Sequence, residues 1–182
     1  LRDYVLLGYG GAAGLHLAGY AGDLPWKGIC TVPWAAGFSA FGCAAMPYAH
    51  RYSRSIAAYI PYGASEPQKR EAAEILNAAW ANLAETAFKD FEAEVVSRSD
   101  VTLKHFIYAK YYGQIDDVEA WASAPSLQST DDVDRLIEEF ERAYEAVYPL
   151  VAKEPTAGYL VTEAGLLCSA PKAKPVVRRF EL

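Results

Sequence analysis

The sequence predicts an α/β chain in two parts, on three observations. A short β-rich apolar run ends in glycines and enters a small-residue helix, and a second strand follows. The character of the sequence changes near residue 62, after which long amphipathic helices alternate with strands of period two. Of the 182 residues, 52% are apolar and 22% charged, inside the globular range, which excludes a disordered or low-complexity protein. Residues 1–62 are therefore read as one segment and 63–182 as a second, α+β region.

Taken in order, Asp3–Gly8 is an apolar run bounded by glycine and reads as a buried strand. Tyr9-Gly-Gly-Ala-Ala-Gly-Leu-His16 opens a helix that Gly22, Asp23 and Pro25 end near Ala21. Gly28–Val32 is a second short strand. Ala35–Met46, between Pro33 and Pro47, reads as a buried helix, and Tyr48–Ile60 has β character. Ser65 and Gln68 stand at capping-box spacing with Pro67 in the first turn. A helix starts there, and its apolar stripe (Ala72, Leu76, Trp80, Leu83, Phe91) carries it to about Ser97. Val101–Tyr112 alternates, with Leu103 and Ile107 on one face and Lys104 and Phe106 on the other, as in a half-exposed strand. Gly113-Gln114 turns it into a hairpin partner at Asp117–Ala122, and Ser123–Ser129 is loop. Ser129 or Thr130 caps a second amphipathic helix, striped by Val133, Leu136, Phe140 and Tyr144, which Pro149 stops. Gly158–Ser169 is a last strand, and the tail from Pro171 has no period.

A net charge of −6 argues against nucleic acid as a partner, and Arg178-Arg179 is too small a patch to reverse that. Cys30, Cys43 and Cys168 are odd in number and far apart, which fits reduced thiols in the cytoplasm better than a disulfide framework. Ala35–Met46 is shorter than the roughly 20 residues that span a bilayer, so no membrane is expected as a partner. No CxxC, HxH or HExxH supports a metal site. Asp116, Asp117 and Glu119 could hold a hard cation, but acids at a hairpin are usually solvated. Asp131, Asp132 and Asp134 complement a helix N-terminus. No GxSxG or nucleophile triad can be assembled, and no catalytic residue is assigned.

The strongest local feature is the Gly10-Gly11 turn. A strand that ends in glycines and enters a helix brings backbone N–H groups and a positive dipole end to one point, which suits phosphate or a nucleotide. A tight turn that needs positive φ explains the same glycines. The turn lacks the Gly-Lys-Ser/Thr of a Walker motif and the acidic residue of a dinucleotide fingerprint. His16 sits one turn inside the helix. A lone histidine there, like His50 and His105, is more often a packed or surface histidine than a catalytic one.

These segments resemble a known family. Tyr9–His16 resembles the GGAGPLH segment of the hydantoinase A/oxoprolinase family. Val32–Gly42 (VPWAAGFSAFG) resembles its VP…PGxFSAxG segment, and Lys110–Gln114 (KYYGQ) its RYxGQ segment. The helix with Phe140 and Tyr144 looks like the one that follows there. The continuation Gln114–Glu119 looks most like the ketone carboxylase branch, the acetone and acetophenone carboxylases. The resemblance implies an actin-like ATPase fold, in which a Gly-Gly turn contacts the nucleotide from the second lobe. It implies that this chain is the carboxyl-terminal part of such a subunit, an expectation that the start on Leu1 rather than Met shares.

On that resemblance Gly10, Gly11, Ala12, Ala13 and His16 are the nucleotide-binding positions, with Ala13 in place of a family glycine and Gly14 in place of its proline. ATP and Mg²⁺ are the implied cofactors, with the metal ligands outside this segment. The implied chemistry activates a small ketone and bicarbonate by phosphoryl transfer, and the enol phosphate and carboxyphosphate condense to a β-keto acid. The implied partners are other carboxylase subunits in a hetero-oligomer. Two other readings stay open: ATP-dependent opening of a cyclic amide, as in oxoprolinase or hydantoinase, and a non-catalytic ATPase-like scaffold, which the Ala13 and Gly14 departures motivate.

Overall fold

The structure, a computed structural model, describes residues 1–175, so Arg178-Arg179 and most of the basic tail lie outside the described residues. The chain divides into two compact units, one built on Leu1–Pro47 and one spanning Tyr48–Pro171.

In the first unit β1 (Val5–Gly8) pairs in parallel with β2 (Gly28–Thr31), and α1 (Ala13–Ala21) connects them. The expected helix over 35–46 is split into a 3-10 turn at Ala35–Gly37 and α2 (Phe38–Ala45), because Gly37 leaves helical geometry at φ −96°, ψ 5°. Neither β1 nor α2 is buried as expected. Val5 and Leu7 are exposed, and α2 has no buried residue. Parallel strands are ordinarily covered on both faces, and two strands with two short helices cannot supply that cover.

The second unit carries the core. Its sheet runs β3 (Tyr48–Ile60), β6 (Tyr159–Ala170), β4 (Thr102–Tyr111), β5 (Val118–Ala122), antiparallel throughout. Because β3 bonds along β6, this unit begins at Tyr48, upstream of the change in composition near residue 62. Helices α3 (Glu66–Ala93) and α4 (Thr130–Val147) bury their stripes, Leu76, Trp80 and Phe91 on one and Val133, Leu136 and Phe140 on the other, with Ile107, Tyr111, Leu166 and Val161 of the sheet. Both helices open on a capping box, Ser65 with Gln68 and Ser129 with Asp132.

Helix α3 ends at Ala93, short of the expected Ser97. The amide of Val96 returns to the Phe91 carbonyl (2.9 Å) and that of Val95 to Glu92 (3.0 Å), a Schellman closure that sets Val95 at φ 63°, where glycine is usual. The outer sheet face also departs from expectation. Alternation puts Phe106 on the exposed side of β4, yet it is fully buried: the Arg51 guanidinium lies 3.8 Å above its ring centroid and Trp121 leans against it. A cation stacked on an aromatic face covers it as an apolar layer would.

Candidate functional site

The glycine turn is held from below by the second motif. Gly10 adopts φ 97° and donates its amide to the Ala35 carbonyl at 2.8 Å. Tyr9 rests on Phe38 (5.0 Å between ring centroids), and Phe38 in turn stacks on Trp34 (5.4 Å). The two sequence segments therefore form one structural feature. Above the turn there is room: a Cβ built on Gly10, Gly11 or Gly14 meets nothing within 4 Å. Helix α1 starts beyond Ala12 with no side-chain cap and no acidic residue in its first turn. The amides that open a helix have no intrahelical partner, so Ala13 and its neighbours present donors that an anion could accept from. His16 is exposed one turn in, with its ring 6.0 Å from that of Tyr20. The residues present fit a phosphate-bearing ligand through backbone groups, not through charged side chains.

The other two motif segments also meet, in the second unit. Tyr111 of KYYGQ packs on Phe140 (5.3 Å) and Tyr144 (4.9 Å) of α4. Gln114 donates to the Ala152 carbonyl (3.1 Å) and accepts from the Tyr144 hydroxyl (3.1 Å). Lys110 pairs with Asp117 (3.3 Å) and donates to the Ile115 carbonyl, tying off the hairpin around Gly113 at φ 90°. These residues brace the hairpin against α4.

Beside them lies a cluster that the sequence did not reveal. Glu141 accepts from the Tyr159 hydroxyl (2.8 Å) and from Lys153 (2.9 Å), and Lys153 also reaches Glu145 (2.6 Å). Burial alone would raise the Glu141 carboxyl, but the hydrogen bonds from Lys153 and Tyr159 outweigh it and hold it below the usual range. Burial, with the Glu141 charge, pushes the Tyr111 and Tyr159 phenols up. Glu141 follows the stripe residue Phe140 and reads as an ordinary solvent-facing helix acid, so periodicity alone hid the cluster.

The remaining candidates are engaged elsewhere. Glu119 pairs with Arg51 and accepts from the Tyr108 hydroxyl (2.9 Å), while Asp117 is held by Lys110. Among the described residues no cluster of His, Cys, Asp and Glu could hold a metal ion. His50 pairs with Glu94 at 2.9 Å, and His105 sits edge-on to Trp80 with burial pushing its imidazole below the ordinary value. Cys30 and Cys43 are exposed, whereas Cys168 is buried, which raises its thiol to about 11. Among the described residues no helix is long and apolar enough to cross a membrane.

Residues 63–182 match the hydantoinase/oxoprolinase C-terminal domain. The chain is 34% identical over 175 residues to the acetone carboxylase beta subunit of Xanthobacter autotrophicus, covering 96% of this chain and 24% of that protein. It is 26% identical over 182 residues to the acetophenone carboxylase gamma subunit of Aromatoleum aromaticum, again 24% of that protein. A nucleotide-free structure of acetone carboxylase superposes with a TM-score of 0.89 at 35% identity, over 95% of this chain and 24% of the other. The ATP-dependent caprolactamase of Pseudomonas jessenii shares the fold at a TM-score of 0.71 and 19% identity, over 100% of this chain and 26% of that one. The chain thus spans about a quarter of the curated relatives it matches. On the strength of that domain match, the chain belongs to the hydantoinase/oxoprolinase family.

Proposed function

We propose that this chain is part of a subunit of an ATP-dependent ketone carboxylase, and that its Gly10-Gly11 turn lines the nucleotide cleft of an actin-like ATPase fold. The observation that carries the reading is the open glycine turn over an uncapped helix, braced by Ala35 and Phe38. The likeness to the acetone and acetophenone carboxylase subunits supports a small ketone and bicarbonate as substrates. When bound, ATP supplies the phosphoryl group that activates them. The amides around Gly11–Ala13 donate to phosphate oxygens, and the missing side chains at Gly10 and Gly11 let the phosphates approach the backbone. His16, one turn in, is within the same helix for a polar contact. Among the described residues no group of His, Cys, Asp and Glu could hold a metal ion, and on this reading the Mg²⁺ ligands belong to the part of the subunit outside this segment.

The test uses the intact assembly that contains this subunit. Gly11→Asp sets a carboxylate in the phosphate space, and ketone-dependent ATP hydrolysis is expected to fall at least 100-fold, with nucleotide affinity falling in parallel in a titration. Normal turnover by the variant sinks the catalytic role of the turn and leaves the scaffold reading, which Ala13 and Gly14 favour. Turnover that follows a cyclic amide in place of acetone or acetophenone moves the reading to the amide-opening branch.

A further inference from the structure

Three elements of the first unit meet at Gly8, the last residue of β1. In the parallel ladder Gly8 stands opposite Thr31, the last residue of β2. The Thr31 hydroxyl donates to the Gly8 carbonyl at 2.8 Å. Leu17 of α1 lies against the bare Gly8 backbone, where an added Cβ would come within 2.8 Å of its Cδ1. Gly8 is buried although most of its unit is exposed. The chain then enters the Gly10-Gly11 turn.

Peptide geometry carries this contact into the turn. In a planar trans peptide the carbonyl of one residue and the N–H of the next point in opposite directions, and no peptide among the described residues is cis. The Thr31 bond to the Gly8 carbonyl therefore fixes where the Tyr9 N–H points. The next peptide is fixed in the same way, because the Gly10 N–H donates to the Ala35 carbonyl at 2.8 Å. Two consecutive peptide planes are held, and the chain next swings at Gly10, at φ 97°. The directions of the Gly11, Ala12 and Ala13 amides follow from those two planes.

The two bonds differ in kind. The Ala35 acceptor is main chain, which any residue at that position would offer. The Thr31 donor is a side chain and depends on residue type. Valine has the same branched shape and also suits a strand. What threonine adds over valine is the hydroxyl, and here that hydroxyl is committed to the Gly8 carbonyl. Backbone donors stabilise a phosphate best when they are aimed before it arrives.

We infer that Thr31 is a positioning residue for the nucleotide: its hydroxyl sets the Gly8–Tyr9 peptide and so aims the Gly11–Ala13 amides at the phosphates. The inference rests on the nucleotide-cleft reading above. It adds a residue of β2 that lies outside both sequence motifs of the first unit.

The experiment uses the full subunit in its native assembly, titrated with ATP and Mg²⁺ and assayed for ketone-dependent ATP hydrolysis. Thr31→Val removes the hydroxyl and keeps the shape. It is expected to raise the KM for ATP about 5-fold, the worth of one net hydrogen bond, with kcat and the KM for the ketone within about 2-fold of wild type. Thr31→Ala is expected to do the same, and Thr31→Ser, which restores the hydroxyl, to return the KM for ATP to within about 2-fold. A lower kcat at an unchanged KM for ATP marks a loss of folded enzyme and overturns the inference. So does a serine variant that behaves like valine, or failure of both hydroxyl-free variants to assemble. Gly11→Asp is assayed alongside. If it abolishes nucleotide binding while Thr31→Val leaves the KM for ATP unmoved, the positioning role falls and the cleft reading stands. If Gly11→Asp turns over normally, the cleft reading itself falls and takes the inference with it.

Discussion

Gly165 is bare because the Phe106 ring occupies the volume its side chain would take. The ring is fully buried on the outer face of the sheet, roofed by Arg51 and flanked by Trp121 and Tyr108. Gly165→Ala is expected to destabilise the unit by about 1–3 kcal/mol in urea unfolding, the usual range for overpacking a filled site. In a Phe106→Leu background the same change should be milder by about 1 kcal/mol, because the obstructing ring is gone. The sequence shows why this residue was hard to read. Alternation along β4 assigns Phe106 correctly to the outer face, but period-two reasoning equates that face with solvent. The cover comes from Arg51, a strand away and distant in sequence.

At the scale of elements, periodicity and capping chemistry located both long helices. The boxes at Ser65/Gln68 and Ser129/Asp132 mark their starts in the residue types themselves. The end of α3 falls earlier than periodicity predicts because the closing position is Val95, and no glycine announces the left-handed turn. The KYYGQ segment illustrates a second limit. As a motif it could be chemical or architectural, and only the contacts of Gln114 with Ala152 and Tyr144 decide for architecture. Gln114→Ala leaves the buried Tyr144 hydroxyl with one acceptor fewer and frees the Ala152 carbonyl from one donor. The expected loss is about 1–3 kcal/mol of stability in thermal or urea unfolding, with nucleotide affinity of the assembly unchanged. A drop in nucleotide affinity without a drop in stability would return the segment to the chemistry.

For the whole molecule, the division of labour is plain in the burial. Of Leu1–Pro47 only Gly8 and Ala21 are buried, while Tyr48–Pro171 holds the continuous core. In hydrogen exchange of the 182-residue chain, protection is expected to concentrate in β6, which has a strand on each side, and in the buried face of α3. The amides of β1, α1 and α2 should exchange orders of magnitude faster. Protection of β1 equal to that of β6 would contradict this. The composition of the first segment reads as a core because its residues are apolar, and apolarity does not say what lies against them. The bend at Gly10, by contrast, was legible from residue types, because its φ of 97° is one that glycine adopts freely, whereas its brace on Ala35 and Phe38 joins segments distant in sequence. The pairing of Tyr48 with Ala170 has one more consequence. Opposed residues in an antiparallel ladder lie about 5 Å apart, so the second unit begins and ends at a single point. A polypeptide could gain, lose or exchange such a unit through one surface junction, without shifting the register of any strand inside it.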